Sequence, residues 1–170
     1  MQSDLIAYFF STNDQRVPAG LIFHLCDIYT EELDKALGSA DSPQPAPLLT
    51  ILSPFISLAA QASTSVAYKR IQSALFEPIL ESLSVPVQEE AEDSEEPKTK
   101  RRRTEDEAMF PHLRANLCIE KNQRTDALSV KKKLLRTIFD VASQPETRDA
   151  NRRKMYALWK EGSDDVEDDE

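Results

Sequence analysis

The chain has 170 residues, enough for one domain or for one section of a longer helical array. Its 30 acids and 21 Lys and Arg give a formal charge of −9, but seven of those acids fall in residues 161–170, leaving −2 for the rest. That balance excludes a general nucleic-acid-coating protein while leaving room for local basic surfaces.

Only Gly20, Gly38 and Gly162 are glycines, and no GxGxxG, GxxxxGK[ST] or GxSxG string occurs. Phosphate-cradling loops and nucleophile elbows are therefore not expected, and strand-rich folds usually need more glycine. Cys26 and Cys118 lie far apart, each among apolar residues. They read as buried free thiols of a reducing compartment. The N-terminal segment lacks the basic start and long apolar run of a signal peptide. No run reaches the roughly 20 apolar residues of a membrane span, so no membrane partner is expected.

The first predicted helix follows Pro18-Ala19-Gly20. Ile22, Leu25, Cys26, Tyr29, Leu33 and Leu37 fall at steps of mostly three and four, one apolar stripe. Gly38, just past it, reads as a left-handed C-terminal cap. Residues 39–47 are Ser/Pro/Ala-rich and read as a loop. LLTILSPFISLAAQA, from Leu48, is apolar nearly all round and predicts a buried helix. Pro54 must kink it or start a new helix capped by Ser53. A third helix is predicted over about 63–83, with a stripe of Ile71, Leu75, Ile79 and Leu83 widened by Phe76 and Leu80. Pro78 is expected to kink it. Three such helices on short loops predict antiparallel stacking.

Composition then changes. Residues 86–108, PVQEEAEDSEEPKTKRRRTEDEA, have almost nothing to bury and read as disorder, a linker or an insert in a loop. Within them Lys98, Lys100, Arg101, Arg102 and Arg103 match a monopartite nuclear import signal, an extended basic strand for an acidic receptor groove. The plain alternative is a solvated charge run. LRANLCIEK, from Leu113, is readable as a short strand or a helix turn.

A fourth helix is predicted over about 126–142, with Leu128, Leu135, Ile138 and Ala142 as its stripe and Lys131, Lys132, Lys133 and Arg136 on other faces. A fifth opens at SQPETRDANRRKMYALWK, with Ser143 and Glu146 at capping-box spacing and Gly162 closing it. Met155, Leu158 and Trp159 form its apolar face, and Asp149 is placed to pair with Arg153. Arg148, Arg152, Arg153, Lys154, Tyr156 and Lys160 are the candidate contacts to RNA or a partner protein. Residues 162–170 read as an acidic disordered tail. The expected organisation is thus a helical domain over 1–85, a charged linker over 86–108, a helical pair over 109–161 packed on the first part, and the tail.

Catalytic chemistry is weakly supported. His24, Asp27 and Glu31 share a helix face, but three or four ligands with supporting groups are normal for a metal. The expectation is no metal and no cofactor. Cys26 has no orienting base in view.

These pieces, in this order and spacing, resemble the eukaryotic nucleolar ribosomal RNA-processing protein 1 family. The likeness rests on Gly20, Leu21, His24, Asp27, Glu32 and Leu33, then Pro54-Phe55, then Phe76-Glu77-Pro78-Ile79, then Arg148, Asn151, Arg152, Arg153 and Tyr156. His24, Asp27 and Glu32 mark the family-signature helix. The resemblance implies an all-α, HEAT-like array of antiparallel helix pairs in the nucleus and nucleolus. It implies a non-enzymatic scaffold for precursor-rRNA processing, with pre-ribosomal assembly factors, precursor rRNA and a nuclear import receptor as partners. Family members carry more helical repeat ahead of the first helix, so the chain reads as an N-terminally short form with an apolar face to cover. The rival reading is a stand-alone nuclear RNA-binding helical module.

Overall fold

The computed structural model describes residues 19–39, 45–84, 109–119 and 125–167. The charged stretch with its import-like run, and the apolar residues 5–10 (LIAYFF), lie outside them. The described chain is all-α apart from two short strands. In order come α1 (Ala19–Gly38), β1 (Ala46–Pro47), α2 (Leu48–Gln61), α3 (Ser65–Ile71), a π-helical turn (Gln72–Phe76), α4 (Glu77–Ser84), α5 (Pro111–Ala115), β2 (Leu117–Cys118), α6 (Ala127–Ala142) and α7 (Asp149–Glu167).

The apolar spacing explains where each helix goes. α2 buries Leu48, Leu52, Phe55, Ile56, Leu58, Ala59 and Ala60 and forms the centre of the core. The third stripe is buried throughout, from Ile71 to Leu83. α1 packs with one side only: Cys26 is fully buried, while Leu25, Tyr29, Leu33 and Leu37 are half-buried. The Tyr29 ring meets Phe55 of α2 at 4.7 Å, and Asp27 forms an ion pair with Arg70 of α3.

Several helix ends differ from the sequence expectation, each for a local reason. Pro54 lies inside an unbroken α2, so Ser53 is not a cap; the Ser57 hydroxyl donates to the Ser53 carbonyl at 3.1 Å. Thr64 caps α3 by accepting from the Ala67 N–H. The disturbance from Pro78 appears just ahead of it, as the π-turn, with the Glu77 N–H bonded to the Gln72 carbonyl. A proline has no N–H and its ring crowds the carbonyl four residues back, here Ala74. One turn of wider helix accommodates both effects.

Gly38 is not a left-handed cap, since no described glycine has positive φ. A Cβ there would lie 2.5 Å from the His112 ring of α5, so its smallness lets α5 approach. α5 begins after Phe110, whose backbone is left-handed. Asp34 of α1 replaces the missing cap, its carboxylate accepting from the Leu113 N–H at 2.7 Å. Both readings of 113–121 therefore have a part: a helical turn, then β2, which pairs in parallel with β1. The Ser82 hydroxyl donates to the Met109 carbonyl at 2.5 Å, joining α4 to the segment that leads into α5.

α6 is capped by Asp126, which accepts from the Ser129 N–H at 2.7 Å. It packs on α2, α4 and α7. Its buried face is wider than the expected stripe, adding Val130, Lys131 and Leu134. Lys131 is buried, and its Nζ donates to the Ser84 hydroxyl at 2.9 Å. Ser143 ends α6 instead of opening α7, its hydroxyl donating to the Phe139 carbonyl, so the capping box is not formed. α7 also does not stop at Gly162: it runs through to Glu167, into the acidic stretch.

Gly162 is buried where α7 crosses α6, and a Cβ there would come 2.8 Å from Leu135 Cδ2. Gly162→Val is expected to lower stability by about 1–3 kcal/mol through overpacking. Gly20→Ala, with nothing within 4 Å of the new methyl group, should be neutral or gain up to about 1 kcal/mol. Urea unfolding followed by circular dichroism measures both.

Candidate functional site: the α6–α7 hairpin

The residues singled out near the C-terminus sit on one helical hairpin, and the structure sorts them into two groups. α2 ends at Gln61, so its last four carbonyls have no partner within the helix. The Arg148 N–H, in the loop before α7, donates to the Ala60 carbonyl at 3.1 Å. The Asn151 amide donates to the carbonyls of Ala60 at 3.2 Å and Ala62 at 2.8 Å. Asn151 is buried. The start of α7 thus serves as the C-terminal cap of α2.

Arg152 does the same for α6. Its Nε donates to the Ala142 carbonyl at 3.0 Å, and one Nη to the carbonyls of Gln144 and Thr147 at 3.0 and 3.1 Å. Its other Nη bonds Asp149 at 2.7 Å. Asp149 therefore pairs with Arg152, not with Arg153 as the spacing suggested. The buried Thr147 hydroxyl adds a bond to the Val141 carbonyl at 2.6 Å. Together these hold the loop of residues 143–148.

Two more candidates are committed to packing. Lys154 Nζ bonds the Ser65 hydroxyl at 2.9 Å and lies 4.9 Å from the Tyr68 ring centre, joining α7 to α3. The Tyr156 hydroxyl shares a hydrogen bond with Ser143 at 3.1 Å, and its ring meets Phe139 at 5.2 Å. Arg152, Lys154 and Tyr156 thus each make contacts that hold the fold while staying half-buried. Arg148, Arg153 and Lys160 keep exposed side chains. Met155 and Leu158 are buried as expected, while Trp159 is half-buried against Phe139 at 4.8 Å.

The first-helix candidates are apart from this hairpin. His24 is exposed, and Asp27 is engaged by Arg70. Glu32 pairs with Lys35 at 2.7 Å on the surface. Among the described residues no group of three or more His, Cys, Asp or Glu is placed to hold a metal ion. Burial pushes the Cys26 thiol up to about 11, with the Asp27 charge adding and Arg70 opposing. Burial also raises the Tyr68 phenol, as does Glu77 to a smaller extent. The hydroxyls of Tyr68 and Thr30 find no hydrogen-bond partner among the described residues.

Sequence reasoning missed Asn151 and Arg152 as caps. The caps reach across the fold, and nothing in local spacing announces them. The aromatic contact of Phe139 with α7 was readable in part, since Trp159 already stood on an apolar face.

The class defined so far is an all-α protein of packed helix pairs whose signature polar side chains close helix ends on one another. The family profile of a nucleolar protein, Nop52, matches residues 2–160, and the chain belongs to that family. It is therefore a nucleolar protein. Comparisons with curated proteins and with solved structures returned no match.

Asn151→Ala should cost about 2 kcal/mol, because the Ala62 carbonyl loses its side-chain donor and the Ala60 carbonyl keeps only that of Arg148. Arg153→Ala should stay within about 0.5 kcal/mol. Chemical denaturation of the two variants compares them directly.

Alkaline pH supplies a second check. Cys26 has a folded pKa above its ordinary 9.0, and Tyr29 and Tyr68 are raised from 10.0. The unfolded chain loses these protons first, so stability is full below pH 9 and falls as pH climbs toward 11. Urea midpoints at pH 8 and 10.5 should show the drop, and Cys26→Ala should reduce it.

Proposed function

We propose that the chain is a non-enzymatic scaffold of ribosome biogenesis, required for processing of precursor rRNA within nucleolar pre-ribosomal particles. Membership of the nucleolar Nop52 family carries this reading. The arrangement of the described side chains supports it. Asn151 and Arg152 of the C-terminal signature are spent on closing helix ends, a use that suits a rigid support. The cysteines are buried, and Cys26 is held as a neutral thiol, poorly suited to nucleophilic work. Helix pairs that extend into a HEAT-type array offer long faces to several partners at once. Pre-ribosomal assembly factors would hold those faces, and precursor rRNA would be held with them. The run Lys98–Arg103 would bring the chain to a nuclear import receptor.

One experiment tests destination and role together. The tagged chain is expressed in eukaryotic cells, located by microscopy, and purified without nuclease from gradient fractions. Precursor rRNA and assembly factors should copurify. Alanine replacement of Lys98, Lys100 and Arg101–Arg103 should leave the protein in the cytoplasm. Recovery of neither precursor rRNA nor assembly factors contradicts the scaffold reading. Recovery of diverse RNA without assembly factors favours a stand-alone RNA-binding module.

A further inference from the structure

The outer seam of the α6–α7 hairpin carries a group of rings that pack on the frame with one side and keep part of their surface open. Phe139 lies 5.2 Å from Tyr156 and 4.8 Å from Trp159, both contacts tilted by 41° to 50°. All three rings are half-buried, so each keeps part of its surface in solvent. The inward faces of both helices are filled by other residues, among them Leu135, Ile138, Met155 and Leu158. The rings therefore stand above the core as a ridge along the seam.

Cations flank that ridge on both helices. On α6, Lys132 and Arg136 precede Phe139 by seven and three residues, positions on one helix face. The Arg136 guanidinium sits over the Phe139 ring, 5.3 Å from its centre. Its carboxylate partner, Asp140, is exposed at 3.1 Å, and so is Arg136 itself. Exposed pairs of this kind contribute little and exchange readily. On α7, Lys160 follows Tyr156 by four residues and is exposed. Exposed acids, Asp140 on α6 and Glu161 and Asp164 on α7, border the same stretch.

Partly open rings set among lysines and arginines match the two needs of single-stranded nucleic acid. Bases stack on aromatic faces, and phosphates pair with the surrounding cations. A duplex keeps its bases stacked inside and offers the rings nothing. A protein partner docking by apolar contact alone would gain nothing from cations on both sides. We infer that the ridge of Phe139, Tyr156 and Trp159, flanked by Lys132, Arg136 and Lys160, is a binding surface for single-stranded RNA. The inference rests on the scaffold reading only for the source of that RNA, the precursor rRNA. Binding by the purified chain stands or falls separately.

Trp159 is the only tryptophan, so the ridge contains its own probe. The full chain is titrated with a 12-nucleotide uridine-rich single-stranded RNA and with a blunt RNA duplex. The single strand should quench Trp159 emission, and the duplex should not. Anisotropy of the same labelled single strand then compares variants. Trp159→Ala should weaken binding roughly tenfold, as loss of one stacking ring does, whereas Trp159→Phe should retain most of it. Lys132→Ala and Lys160→Ala leave the core untouched, and each should flatten the salt dependence by about 0.7 in log–log slope.

Absence of quenching by the single strand overturns the inference. So does equal binding of duplex and single strand. So does binding that is lost when Lys98–Arg103 is neutralised yet is unchanged in the lysine variants of the ridge.

Discussion

The fold depends on one constraint: the C-terminal carbonyls of α2 must find donors inside the protein. Ala60 and Ala62 at that end are buried, so their carbonyls need donors from the protein. Arg148 and Asn151 supply the donors from the start of α7. This join fastens the start of α7 to the end of α2, beside the packing of α6 on α2 and α4. Arg152 then ties the hairpin's own loop to the end of α6. The signature of the family is to that extent a signature of helix ends meeting. Of its three arginines, Arg152 is bound into the frame, while Arg148 and Arg153 keep exposed side chains.

The consequence for function is a division of labour along α7. One face, with Asn151, Met155, Leu158 and Gly162, is buried against the rest of the fold. Lys154 holds the side toward α3. What remains for partners is the outer seam with its rings and the exposed Arg153 and Lys160. A rigid hairpin that keeps such a strip in place would suit the scaffold role proposed above.

Much of the fold was legible in the sequence because the signal was periodic. The stripe of α3 and α4, from Ile71 to Leu83, is buried as the three-and-four spacing indicated. The all-round apolar character of α2 correctly announced a central helix. Helix ends were less legible. Gly38 and Gly162 look like stop signals by position, yet each is small because another side chain, His112 or Leu135, occupies the space. Ser143 and Glu146 have the spacing of a cap, but the chain there is still finishing α6. Lys131 looked like surface charge and is buried against Ser84. Long-range contacts decide all of these, and local pattern does not contain them. The same holds for the site: Arg153 and Lys160 are exposed, whereas Arg152 and Lys154 are engaged by carbonyls and a ring from elsewhere in the chain.

The most direct measurement of the account is amide hydrogen exchange at Arg148, read by NMR on the full chain. Arg148 sits in a loop with an exposed side chain, so its N–H has no local reason to be protected. If it caps α2, its exchange should be as slow as that of the core amides of α2 and α6, opening only when the molecule unfolds as a whole. Exchange at the rate of an open loop would mean that the hairpin is not fastened to α2, and the frame described above would not stand.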